Sequence, residues 1–201
     1  MTAAPPSPAE SAAPMHSRSE RRAHLVDTAL RLFARGGYHA TGIDAVLAAS
    51  GVAKKTLYHH FPSKDDLIVE VLRERDRRFR ASLAAFVAAR ATPRARLAAV
   101  FEWHALWFAE PDFAGCMFLN AAAEFHDGSA GILAVAREHK QALEAWLAAL
   151  LTDLVEAERA APLAADLNLL LDGAIGTALV SRDPAAAARA WALAERLLPA
   201  A

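Results

Sequence analysis

Between Thr41 and Lys64 the chain reads TGIDAVLAASGVAKKTLYHHFPSK, and this stretch leaves few folds open. Thr41 followed three residues later by Asp44 is a capping-box pair, which predicts a helix starting near Gly42. Ile43, Val46 and Leu47 recur at helical spacing and give that helix one apolar face. Ser50-Gly51 closes it, because glycine takes the left-handed conformation that a helix C-terminus needs. Val52, Leu57 and Phe61 then supply the inward face of a second helix, which leaves Lys54, Lys55, Thr56, Tyr58 and His59 to project outward. Cations, a hydroxyl and a phenol are the groups that contact phosphates and base edges when a helix lies in the major groove. The stretch is expected to form a helix-turn-helix.

The remainder carries the same period. Ser17 with Glu20 marks the start of a first helix that runs to Arg35 before Gly36-Gly37, with Leu25, Val26, Ala29, Leu32 and Phe33 as its buried stripe. Ser63 caps a long fourth helix that keeps an apolar face to about Ala91, and Asp65 and Asp66 lie in its first turn, where carboxylates favour the helix dipole. Thr92-Pro93 opens a fifth helix. A short sixth covers about Cys116 to Phe125, and a seventh, capped by Ser129, runs from about Ala130 to Glu158. Pro162 introduces an eighth from Leu163 to Ser181, and Asp183-Pro184 starts a ninth that reaches about Leu198. Alanine dominates a composition that is 55% hydrophobic, which favours helix, and nothing alternates with period two. The fold expected is all-α, with about nine helices.

Three regions follow. Residues 1–16, rich in Pro, Ala and Ser, lack the basic start and apolar core of a signal peptide and read as a disordered tail. Residues 17–63 form the helix-turn-helix domain, and residues 64–201 form a helical body. The net charge of −1 would argue against nucleic acid if it were evenly spread. It is not: from His16 to Lys64 eight Arg or Lys stand against three Asp or Glu, so this segment carries +5 and the rest −6. A basic module on an acidic body concentrates the favourable field on one face.

The run Gly51-Val52-Ala53-Lys54-Lys55-Thr56-Leu57-Tyr58-His59-His60-Phe61-Pro62-Ser63-Lys64 resembles the DNA-binding signature of TetR/AcrR-type transcriptional regulators, and Ala29 to Tyr38 resembles the first helix of that domain and its Gly-Tyr exit. The resemblance covers roughly residues 18 to 80. It implies DNA contacts by Thr41, Lys54, Thr56, Tyr58, His59 and Lys64, to which the outward position of Lys55 adds a seventh. Many members have Ser where this chain has Ala53, a weaker N-cap by about 1 kcal/mol. The resemblance also implies a cytoplasmic homodimer on a palindromic double-stranded DNA operator, with a small-molecule effector in the body.

Two features of the body fit that picture. Residues 101 to 125 hold Phe101, Trp103, Trp107, Phe108, Phe113, Phe118 and Phe125, interrupted by His104, Asn120 and Glu124. Aromatic walls with a few placed polar groups suit a small-molecule pocket, and Trp103, His104, Trp107, Phe118 and Asn120 are the candidates, for an apolar or aromatic effector. The alternative is plain core. The eighth helix is apolar nearly all round, so it must be covered on both sides, and a second copy can supply one of them. Leu167, Leu171, Ile175 and Leu179, with Trp191 of the ninth helix, are the candidate dimer contacts.

No run of about 18 apolar residues is present, so no membrane span is expected. Cys116 is the one cysteine, which excludes an intrachain disulfide and suits a reducing compartment. It has no dense Cys/His spacing around it, so neither a metal site nor another cofactor is expected. No nucleophile-base pair or phosphate loop points to an enzyme. An activator, or a regulator controlled by a partner protein, is the alternative to a ligand-released repressor.

Overall fold

A computed structural model describes residues 17–199, so the N-terminal tail expected over residues 1–16 lies outside the described residues. Nine α-helices and no strand occur among the described residues: α1 (Arg18–Gly36), α2 (Ile43–Ser50), α3 (Lys54–His60), α4 (Lys64–Ala88), α5 (Pro93–Phe108), α6 (Met117–Glu124), α7 (Ala130–Leu151), α8 (Ala157–Ser181) and α9 (Ala186–Glu195). The all-α expectation holds.

Local chemistry sets most of the helix ends. The Ser17 hydroxyl accepts the Glu20 N–H at 3.0 Å while the Glu20 carboxylate accepts the Ser17 N–H at 2.9 Å. Ser63 and Asp66 repeat this box at the start of α4, and Thr92 with Pro93 opens α5. The start of α2 differs from expectation. Gly42 occupies its N-cap without a side-chain bond, and the buried Thr41 turns its hydroxyl toward the Leu32 carbonyl instead of toward the Asp44 side of the helix. Ser129 likewise sits at the start of α7 without a hydroxyl cap.

The boundary between α7 and α8 is also displaced. The chain turns at Leu154 and Val155, whose N–H groups both return to the Leu151 carbonyl, so α7 stops seven residues short of Glu158. The eighth helix begins at Ala157, and Pro162 lies inside it. Proline cannot donate to the carbonyl four residues back. Both Pro162 and Glu158 are exposed, so the interrupted bond lies on the solvent side of the first turns.

The frame is α4. Its apolar face, Leu67, Ile68, Val71, Leu72, Phe79, Leu83 and Val87, packs first on α1 and then on α5 and α7. At 25 residues it extends roughly 37 Å, enough to reach from the helix-turn-helix through the body. Arg22–Glu70 and Arg78–Asp27 cross the α1–α4 seam at 2.9 Å each. The Arg78 hydrogen bond is the largest cause holding the Asp27 carboxyl below its usual range.

The body stacks α8 on α7 and α9, with α5 closing the other side of α9. The residues expected at a dimer contact lie mostly inside the chain. Leu167, Leu171 and Ile175 are buried within the chain, because α7 and α5 already cover that face. Leu179 is half-buried against Gly115, and Trp191 packs on Phe101 with ring centroids 5.4 Å apart. The uncovered side of α8 carries Leu169, 72% exposed, and Val180, 84% exposed, with Gly173, Gly176 and Thr177 between them. Leu193 of α9 and Leu197 just after it are also exposed. By length and composition α8 is apolar enough to cross a membrane, unlike the sequence expectation, yet its inner face is packed in the bundle. Since Leu171 is 1% exposed, Leu171→Ala should cost about 2–5 kcal/mol in chemical denaturation, with the unfolding midpoint reporting the loss.

Candidate functional site

Two sites emerge, one on the helix-turn-helix and one inside the body. In the first, α2 meets α3 through Gly51, whose φ of +67° is the left-handed conformation that a side chain resists. The turn is tied down on both sides. The Ser50 hydroxyl accepts the Val52 N–H at 3.3 Å, and His24 of α1 bonds the Ser50 carbonyl at 3.1 Å. Leu57 and Phe61 are buried, which fixes the rotation of α3 and sends Lys54, Lys55, Tyr58 and His59 into solvent. Tyr58 is 43% exposed, so its ring and hydroxyl are open to an external contact.

The expected DNA-contacting residues divide by position. Lys54 lies 3.7 Å from Asp44 in an exposed pair, a contact of little energetic weight. Thr56 and Lys64 are half-buried, and the Lys64 ammonium approaches the His39 carbonyl at 3.5 Å. Thr41 is the exception: at 7% exposure its side chain is withdrawn from the surface, so a contact through its hydroxyl is not available in this geometry. The sequence-based candidates also omitted Arg18 and Arg21. With Lys55, Thr56, His59 and His60 they line one open groove of about 560 Å³ between α1 and α3. Burial, and then the neighbouring Arg18 charge, lower the His60 pKa. The positive spacing of Arg18, Arg21 and Arg22 at the start of α1 was the available signal.

The second site is a cavity enclosed by α4, α5, α6, α7 and α8. Phe79, His104, Trp107, Phe118, Leu143 and Ile175 provide its apolar walls, and Arg75, Cys116, His139, Lys140 and Asp172 its polar ones. Of the five candidate effector residues, His104, Trp107 and Phe118 reach it. Trp103 does not: its ring packs edge-on against Phe79 at 4.9 Å and its indole N–H donates to Ser82 at 3.2 Å. Asn120 faces the α5–α6 connection and donates to the Ala114 carbonyl at 3.3 Å. Arg75, His139, Lys140 and Asp172 come from distant parts of the sequence, so spacing gave no signal for them as a set. The free volume is only about 10 Å³, close to one water.

Electrostatics inside the cavity is mostly compensated. Lys140 pairs with Asp172, and His139 donates to Asp76 at 2.7 Å while stacking flat on Phe118 with centroids 3.7 Å apart. His104 bonds the Val100 carbonyl at 2.7 Å, and burial pushes its pKa down to about 4. Burial also raises the Cys116 thiol pKa, which disfavours the reactive thiolate. Among the described residues no three His, Cys, Asp or Glu side chains are grouped to hold a metal ion.

The two sites are joined through α6. Its last residue, Glu124, accepts the Tyr38 N–H at 3.0 Å and the His39 N–H at 2.7 Å, at the exit of α1. The buried Tyr38 hydroxyl returns the connection by donating to the Met117 carbonyl at 2.9 Å. Gly37 permits this approach. Its φ is +75°, and a Cβ there would lie 3.0 Å from the Glu124 carboxylate. Met117 and Phe118 line the cavity at the other end of the same short helix.

Nine helices among the described residues, with this turn, this basic face and this buried cavity, make the architecture of a helix-turn-helix regulator. The tetR family of bacterial regulatory proteins matches residues 25–71. A TetR-family transcriptional regulator from Streptomyces coelicolor superposes with a TM-score of 0.81 at 32% identity, covering 89% of this chain and 94% of that one. The HTH-type transcriptional regulator BetI of Brucella anthropi is 28% identical over 177 residues, 87% of this chain and 90% of its own length. YxaF, an uncharacterized HTH-type regulator of Bacillus subtilis, is 44% identical over 59 residues, a match that spans 31% of its length. Other relatives bear the names of repressors and of an activator. The chain belongs to the TetR family of helix-turn-helix transcriptional regulators, which are DNA-binding proteins and not enzymes.

Two outcomes follow from this geometry. Glu124→Ala removes the acceptor of the part-buried Tyr38 N–H, at a cost of about 1 kcal/mol, and of the exposed His39 N–H, which water can satisfy, and should weaken DNA binding in gel-shift titrations while α4 to α9 keep their helical signal. His104 stays neutral when folded but takes a proton when unfolded near its ordinary value of 6.5, so stability should fall as pH drops from about 6.5 to about 4, by roughly 3 kcal/mol. His104→Leu should flatten that part of the pH–stability curve measured by urea unfolding.

Proposed function

We propose that this protein is a homodimeric, cytoplasmic transcriptional repressor that leaves its operator when a small apolar or aromatic molecule enters the body. Residues 17–63 act as the DNA-binding unit and residues 64–201 as the effector-binding and dimerisation unit. The observation that carries this reading is the position of α6, with Met117 and Phe118 on the cavity wall and Glu124 on the α1–α2 connection. A molecule larger than one water must displace that wall, and α6 moves the basic face with it. The effector then favours dimers whose recognition helices are wrongly spaced for two half-sites.

On DNA, Lys55 and Thr56 near the start of α3 reach base edges, while Tyr58, His59, Lys54 and Lys64 serve the backbone. Arg18 and Arg21 extend the phosphate-facing surface from α1. Dimerisation uses the uncovered stripe of α8, Leu169, Gly173, Gly176 and Val180, and the exposed Leu193 and Leu197. Small residues between larger apolar ones let two such helices approach closely, and the stripe is too apolar to leave in water.

Selection of bound fragments from a random DNA pool tests the reading. The expected product is a roughly palindromic operator, and Leu169→Glu with Val180→Glu should give folded monomers that bind it at least about tenfold less tightly. A double variant that stays dimeric would overturn the interface, and a pool without enrichment would overturn operator recognition.

A further inference from the structure

We propose that the effector is an acid, with Arg75 pairing with its carboxylate while Phe79, Trp107 and Phe118 enclose its apolar body. The inference rests on the effector-cavity reading above and adds the chemical class of the ligand. Arg75 lies midway along α4, half-buried, with its guanidinium 5.8 Å from the centre of the Phe79 ring and 5.5 Å from that of Trp107. Burial lowers its pKa, but a guanidinium stays charged across the range in which proteins work.

Among the described residues no hydrogen bond or ion pair reaches Arg75. Its neighbours on α4 contrast with it. Arg77 and Arg78 bond Glu74, Arg78 also bonds Asp27, and Arg80 bonds Asp76. Inside the cavity Lys140 is answered by Asp172, His139 by Asp76, and His104 is neutral. That leaves one guanidinium on the cavity wall, with five N–H donors, the Phe79 and Trp107 rings beside it, and the Glu110 carboxylate acting on it electrostatically without a hydrogen bond or ion pair. Ring faces attract a cation but accept none of those donors in the way a carboxylate does.

The location matters as much as the charge. Arg75, Trp107 and Met117 line the inner cavity and also an outer cleft of about 140 Å³ between α1 and the α5–α6 connection. That volume is close to the roughly 150 Å³ void that admits benzene. Arg31 and Arg35 stand at the cleft with Arg75, facing Glu110 and Asp112; Arg31 is already paired with Asp27, so the rim is close to balanced and Arg75 is the cation that also reaches the inner cavity. An aromatic acid held there by Arg75 has its ring against Trp107 and Met117, the residues that separate the cleft from the inner cavity. Entry of the ring displaces Met117, whose carbonyl holds Tyr38. A neutral analogue leaves the guanidinium unpaired, and an amine meets like charge.

The test uses the full chain and three matched series: benzoate, benzamide and benzylamine; 1-naphthoate with its amide and amine; and decanoate with its amide and amine. Quenching of the tryptophan fluorescence reports binding, and release of a labelled operator reports the response. Acids should bind at least about tenfold more tightly than their amides and amines, as expected for a bidentate pair between guanidinium and carboxylate. Arg75→Met should lose that preference and Arg75→Lys should keep most of it, both with unchanged thermal midpoint and ligand-free operator affinity. Amides that bind as well as acids, or a preference that survives Arg75→Met, would overturn the assignment. Binding by amides or amines alone would reject the acid and leave ligand control standing. Silence from all three series on both readouts would reject the cavity as an effector site and the acid with it. If Arg75→Met is unstable, Arg75→Lys and the acid-to-amide ratio in the wild type decide.

Discussion

The structure depends on one helix doing two jobs. A three-helix unit as short as α1 to α3 buries too little surface to be secure alone, and α4 supplies the missing core through Leu67, Ile68, Val71 and Leu72. The same helix continues through the body, where Phe79, Leu83 and Val87 pack on α5 and α7. Because one apolar stripe serves both ends, the basic face cannot turn independently of the cavity wall. Asp27, shared by Arg31 and Arg78, and the Arg22–Glu70 pair add directional restraint at the seam.

The contact from α6 to the α1–α2 connection completes the frame. Two backbone N–H groups converge on one carboxylate, and the Tyr38 hydroxyl reaches back to the first residue of the same helix. A helix of eight residues tied at both ends moves as a unit. It is also the wall with the fewest neighbours: α6 packs chiefly on α7, whereas α8 is held by α5, α7 and α9. Displacement of Met117 or Phe118 therefore has a mechanical route to Tyr38, and the near absence of free volume in the cavity is what makes such displacement necessary.

Charge is distributed with the same economy. Exposed pairs such as Lys54–Asp44 add little stability. Lys55 on the outside of α3 and Arg75 within the body make no ion pair with a carboxylate among the described residues, and both lie where a negatively charged partner is expected. Burial keeps His104 neutral and Cys116 a thiol, so the interior adds shape and hydrogen-bonding groups to that one charge.

The sequence by itself determined the helix-turn-helix, the nine-helix plan and the basic character of one end. These follow from local rules: caps at Ser17 and Ser63, Gly51 at a left-handed turn, and apolar residues repeating every three or four positions. Where a local signal met a tertiary competitor, the competitor won. Thr41 has the spacing of a cap, but the Leu32 carbonyl takes its hydroxyl; Pro162 has the look of a helix start, but α8 was already under way. Periodicity showed that α8 is apolar all round without showing which side the chain itself covers, so Leu171 and Ile175 read as outward when Leu169 and Val180 are. Trp103 and Trp107 are one turn apart on α5, yet only Trp107 reaches the cavity, because Phe79 and Ser82 of α4 claim the other ring. The company of Arg75 was decided only in three dimensions, since carboxylates three and four residues away reach Arg77, Arg78 and Arg80 and leave it with aromatic faces brought from α5 and α4 itself.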